Sequence, residues 1–109
     1  MAYVPRRGDA IWLNLNPQAG HEQAGRRPTL MPSLRHYTHK VRLALLCPIT
    51  NQVRGYPFEF QIPPDLPVSG VVLADQVKSM DWQIRQATFI CSLPERIVAQ
   101  VLGKLHTLL

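Results

Sequence analysis

Leu43-Ala-Leu-Leu-Cys-Pro-Ile-Thr50 is the stretch on which the fold turns. Leu43–Cys47 is fully apolar and reads as a central strand, covered on both faces. Pro48-Ile49-Thr50-Asn51 is expected to end it. Upstream, Ala10-Ile-Trp-Leu-Asn-Leu15 is β-prone and partly alternating, a second strand between the turn Arg6-Arg7-Gly8-Asp9 and the breaker Asn16-Pro17. Thr29-Leu30-Met31 starts another strand. Pro32 lacks a ladder donor and belongs at an edge, a bulge or a strand end. Ser33–Lys40 is polar and basic, a loop or one helical turn. Downstream, Gly55-Tyr56-Pro57 is a turn and Phe58–Ile62 an alternating strand. Pro63, Pro64 and Pro67 mark an irregular connection. Gly70-Val-Val-Leu-Ala74 is a buried strand ending in Asp75-Gln76, and Ala87–Cys91 is the last strand.

The carboxyl end changes period. Ser92-Leu-Pro-Glu95 matches a capping box. Val98, Val101, Leu102, Leu105, Leu108 and Leu109 then line one face of a helix that should pack on the sheet. The pattern predicts one domain over 1–109: a small, mostly antiparallel barrel of about five to seven strands plus a terminal helix. Trp12, Phe58 and Phe60 are expected in its core, and Cys47 and Cys91 as buried small hydrophobes.

Composition narrows the function. The 109 residues are 46% hydrophobic, enough for one core, and a dimer covering more surface would help a chain this small. Net charge is +5 and the pI is near 9.8, which suits polyanions, nucleic acid before acidic membranes. From Gln23 to Phe58 there is no acid, yet Arg26, Arg27, Arg35, Lys40, Arg42 and Arg54 supply half of the 12 Lys and Arg. Solvated faces mix signs, so this run favours an anion-facing surface. Two cysteines make neither a zinc framework nor a secreted disulfide scaffold. With no apolar leader and no membrane-length apolar run, the reading is a cytosolic chain without a membrane anchor.

The chemistry centres on Gly20-His-Glu-Gln-Ala-Gly-Arg-Arg-Pro28, a loop hinged by Gly20 and Gly25. Phosphate-loop, dinucleotide and nucleophile-elbow motifs are missing. His36-x-x-His39 lacks a third ligand, so no metal site is expected, and the seven scattered acids do not suit a two-metal nuclease. No cofactor is implied. What remains is acid–base chemistry with cationic stabilisation. Arg27 near Glu22 would keep that carboxylate ionised and able to accept a proton. Arg27 presents a planar fork to a phosphoryl group, and Thr50 can donate to the same phosphate. The same residues also read as a surface ion pair and as a turn hydroxyl closing its own backbone.

Five segments together resemble the MazF/PemK toxins, the endoribonucleases of toxin–antitoxin pairs. They are Arg-Gly-Asp-Ala-Ile-Trp (7–12), the loop 20–28, Pro-Ile-Thr (48–50), Gly-Tyr-Pro-Phe-Glu (55–59) and Gly-Val-Val-Leu-Ala-Asp-Gln-Val-Lys-Ser (70–79). They run in register from Tyr3 to the terminal helix. The resemblance implies an SH3-like antiparallel barrel of the CcdB/PemK kind, and a homodimer. It implies metal-independent, sequence-specific cleavage of single-stranded RNA, leaving a 2′,3′-cyclic phosphate and a 5′-hydroxyl. It also implies neutralisation by a MazE-like antitoxin. It puts the catalytic arginine at Arg27, the catalytic threonine at Thr50 and the loop glutamate at Glu22. Gln23, Tyr56, Asp75, Gln76 and Lys78 then fall along the substrate groove.

Pro32, Leu34, Thr38 and Arg42 depart from the family's pattern just downstream of Arg27. A proline in a paired strand loses a ladder bond, and an arginine where glycine is usual is strained if φ is positive. The cluster points to a weakened copy. Two further readings stay open: a CcdB-like gyrase-binding toxin, which needs neither Arg27 nor Thr50, and a basic RNA-binding barrel without catalysis.

Overall fold

The computed structural model describes residues 3–15, 25–32 and 43–108. Among the described residues there are seven strands: β1 (Asp9–Asn14), β2 (Arg26–Leu30), β3 (Leu43–Thr50), β4 (Glu59–Gln61), β5 (Val71–Leu73), β6 (Lys78–Asp81) and β7 (Thr88–Ser92). One helix, α1 (Glu95–His106), follows. Every recorded pairing is antiparallel. The order is β4-β5-β3-β2-β1-β7, with β6 also on β3. The sheet has the small-barrel topology without closing into a ring.

β3 is central because both of its faces are apolar. Cys47 and Ile49 enter a cluster with Ala10, Leu30, Ile97, Val101 and Leu105, the side that α1 covers. Ala44 and Leu46 enter a second cluster with Ile11, Leu13, Met31, Met80 and Trp82. Side chains alternate across a strand, so β1 and β3 each feed both clusters, while β2 gives Leu30 to the first and Met31, just past its end, joins the second. Pro48 does not end β3, contrary to the expectation from sequence. On one edge β3 pairs with β6 through Leu43–Leu46 and with β5 through Ile49 and Thr50. A 3-10 turn, Ala74–Gln76, fills the gap between those pairings. Positions 47 and 48 therefore have no strand partner there, and a proline forfeits no ladder bond on that edge. Pro32 likewise costs β2 nothing, since β2 ends at Leu30. Leu34, Thr38, Arg42, His36 and His39 lie outside the described residues.

Three expectations fail, and one strand is unforeseen, for identifiable reasons. The capping box does not form. The Ser92 hydroxyl instead donates to Asp9 Oδ1 at 3.2 Å, Glu95 accepts from Arg7, and Pro94 stands at the N-cap without a side-chain cap bond. Trp12 is 41% exposed rather than core, since its cross-strand neighbours are Pro28 and Thr88 and not helix residues. On α1, Ile97 is buried, whereas Leu108 lies past the helix end and is exposed. Strand β6 gives little apolar signal, because only Met80 of Lys-Ser-Met-Asp is buried.

Cys91 is half-buried and Cys47 fully buried, both as free thiols. Burial, with the Asp75 charge second, pushes the Cys47 thiol up to about 12. Burial and then Asp9 push Cys91 up as well.

Candidate active site

Two strand ends meet at the site. β2 and β3 pair through Thr29 with Pro48 and Leu30 with Cys47. Carrying that register two places further sets Arg27 opposite Thr50. Two places also return each side chain to the same face, so Arg27 shares a face with Thr29 and Thr50 with Pro48. Residues opposite each other in an antiparallel pair have Cα atoms about 4.5–5.5 Å apart. Continued in this way, the register would place Arg27 and Thr50, 23 positions apart in the chain, at the same end of the β2–β3 pair.

Their surroundings differ. Arg27 is exposed. Thr50 is only 5% exposed and forms the floor. Its Oγ1 accepts the Gln52 N–H at 3.1 Å. That is the turn-closing bond foreseen from sequence, and a hydroxyl that accepts keeps its own proton to donate. Thr50 is also braced from behind. Gly70 has φ +108°, and a Cβ there would come within 2.3 Å of the Thr50 carbonyl oxygen. Only a glycine lets the chain pass so close to the Thr50 backbone. Ser69 donates to Asn51 Oδ1 at 3.1 Å beside it. Sequence reading marked Gly70 merely as a strand start, because a close approach between distant segments leaves no local signature.

The other candidates fall as follows. Asp75 and Gln76 lie in the 3-10 turn against the middle of β3, Asp75 exposed and Gln76 half-buried. Asp75 is close enough for its charge to act on the Cys47 thiol. Lys78 is exposed and opposite Leu46. Its register puts it on the face that carries Thr50, further along β3. Tyr56 is 58% exposed in the loop after Thr50. Glu22 and Gln23 lie outside the described residues. Of the acid-free basic run, Arg26, Arg27 and Arg54 are exposed, and Arg26 donates to Thr88 Oγ1 at 2.7 Å. One acid just past that run, Glu59, carries no signal of a site role in the sequence. Its carboxylate binds the backbone of the loop that follows Thr50.

The model of PemK-like, MazF-like toxins of type II toxin–antitoxin systems matches residues 6–109. The chain belongs to this family. It is 46% identical over 86 residues to the endoribonuclease toxin MazF of Escherichia coli K12, covering 79% of this chain and 77% of that protein. It is 36% identical over 108 residues to the Escherichia coli endoribonuclease PemK, covering 94% and 80%. The crystal structure of MazF from Deinococcus radiodurans superimposes with a TM-score of 0.94 at 48% identity, over 98% of this chain and 97% of that one. A MazE–MazF structure from the same organism gives 0.86 at 42% identity, over 98% and 96%. The mostly antiparallel sheet with one terminal helix is thus the fold of the family.

Proposed function

We propose that the chain is a sequence-specific endoribonuclease toxin that cleaves single-stranded RNA without a metal ion. What carries this is the β2–β3 register, which, continued two places past Thr29 and Pro48, would set Arg27 opposite Thr50 on one face. The named endoribonuclease activities of MazF and PemK support it.

In the mechanism that fits these residues, the RNA's own 2′-hydroxyl attacks the adjacent phosphorus. DNA has no such group and is inert. Glu22 accepts the proton. Arg27, exposed at the rim, takes two phosphoryl oxygens in its planar fork. Thr50 donates from the floor to the same charge as it builds on the phosphorane. Arg27 then steadies the charge on the departing 5′-oxygen, which takes a proton from water. The products are a 2′,3′-cyclic phosphate and a 5′-hydroxyl. Gln23, Tyr56, Asp75, Gln76 and Lys78 bind the strand on either side of the scissile phosphate.

The same basic groove suits the acidic tail of a MazE-like antitoxin. Solved MazE–MazF structures from Deinococcus radiodurans support such a partner. The reading includes a homodimer acting on mRNA in the cytosol.

The test is cleavage of a long single-stranded RNA in EDTA. Discrete fragments with 5′-hydroxyl ends are expected, and Arg27→Ala should abolish them. Fragments that require magnesium, or that survive Arg27→Ala, overturn the proposal.

A further inference from the structure

The loop after Thr50, residues 51–57, has no strand partner and is exposed throughout. It is nevertheless tied down along its length. At its start, the Thr50 hydroxyl holds the Gln52 N–H. At its end, Lys104 Nζ on α1 donates to the Pro57 carbonyl at 2.8 Å. Its tip is held by Glu59. Oε1 accepts the Gly55 N–H at 2.9 Å, and Oε2 accepts the Arg54 N–H at 3.1 Å. Glu59 also donates its own N–H to the Tyr56 carbonyl at 3.1 Å. Its backbone is fixed to the sheet opposite Leu73 of β5. Gly55 has φ +78°, a left-handed turn residue that lets two successive amides face one carboxylate.

We propose that Glu59 is a positioning residue that sets RNA specificity by holding the tip of this loop. The proposal rests on the ribonuclease reading and deepens it. Arg54 and Tyr56 flank the held turn, both exposed and close in sequence to Thr50. A guanidinium grips a backbone phosphate and a phenol ring stacks on a base, so the pair fits a nucleotide next to the scissile phosphate. Gripping needs both side chains in fixed places, and a loop without ladder bonds does not supply that by itself. Charge-assisted bonds to two amides do. They also engage the carboxylate, which would otherwise repel the strand.

Three variants of the full chain test this: Glu59→Ala, Glu59→Gln and Arg54→Ala. In Glu59→Ala, the Arg54 and Gly55 amides should lose hydrogen-exchange protection. KM for a single-stranded RNA should rise about tenfold, the scale of one charge-assisted hydrogen bond. kcat should stay within about twofold, and new fragments should appear from a long RNA, since binding and not transition-state contact is lost. Glu59→Gln keeps an acceptor oxygen and should recover most of the KM. Arg54→Ala should raise KM similarly, and the double variant should lose no more than either single one. An unchanged KM and fragment pattern in folded Glu59→Ala overturns the proposal. So do fully additive losses, or kcat falling in step with fold stability. If Glu59→Ala does not fold, Glu59→Gln and the cycle with Arg54→Ala still decide.

A 2′-O-methyl strand separates the two readings, because it can bind without reacting. A chain that binds this strand but does not cut RNA overturns the ribonuclease reading alone, and the affinity ratio of Glu59→Ala to the unaltered chain then judges Glu59. A chain that binds neither strand overturns both.

Discussion

The β2–β3 pair has two unlike faces. On one, Leu30, Cys47 and Ile49 are sealed beneath Ile97, Val101 and Leu105 of α1. On the other, Thr29 and Pro48 lead outward to Arg27 and Thr50, and among the described residues α1 contributes nothing to the cluster on that side. The two strands are the same; what covers each face differs. A face under a helix must be apolar throughout, because an unpaired charge there is costly. A face without that cover can carry a guanidinium at its rim, while its centre still packs against Met80 and Trp82. Stability and the proposed chemistry are thus divided between the two sides of one strand pair.

This division can be broken most sharply at Arg27. Arg27→Ala should lower cleavage by about 10²–10³-fold, the usual cost of one donor to a developing oxyanion. The melting temperature should stay put, because Arg27 is exposed. A large thermal shift would mean that the two faces are not independent. The reciprocal experiment is Ile97→Ala, which should cost about 3 kcal/mol of stability by denaturant titration. Activity per folded molecule should be retained. Gly70→Ala sharpens the comparison because Gly70 touches the join between scaffold and site. Its Cβ would strike the Thr50 carbonyl, so both readouts should move, with a stability loss of about 2 kcal/mol.

The smallest effect concerns the helix-covered face alone. The Cys47 thiol has a folded pKa near 12 against an ordinary 9.0. Between those values the unfolded thiol ionises and the folded one does not. Stability is therefore intact below pH 9 and falls as the pH rises towards 12. By pH 10 the loss is about 1.4 kcal/mol, and Cys47→Ala should remove that part of the alkaline slope. Equal slopes in both proteins would show that Cys47 is not the group responsible.

Local pattern carried most of the fold. The apolar run at 43–47, the alternation at 10–15 and the helical spacing after Pro94 each name their own element, because each reflects burial of adjacent residues. What failed depended on partners far along the chain. Ser92 and Glu95 look like a cap in isolation, but Asp9 and Arg7 compete for them. Trp12 looks like core until its neighbours across the sheet prove to be Pro28 and Thr88. The candidate site could be named by residue type, but its geometry could not be read. Nothing near Arg27 names Thr50, since only strand register sets them opposite each other. Gly70 and Glu59 act through backbone atoms, which composition and motifs do not report.

Asp9 closes the chain's beginning onto its end. This carboxylate, 3% exposed, accepts from the Tyr3 hydroxyl at 2.6 Å, the Arg6 N–H at 3.0 Å and the Ser92 hydroxyl. Asp9 opens β1 where Ser92 closes β7, so the two outgoing chain directions leave the sheet from the same end of one antiparallel pair. Tension between the termini would therefore peel that pair open rung by rung rather than load all its rungs together. The carboxylate knot sits at the mouth of this zipper, so once α1 has been pulled from the core it is among the first links such a pull would strain.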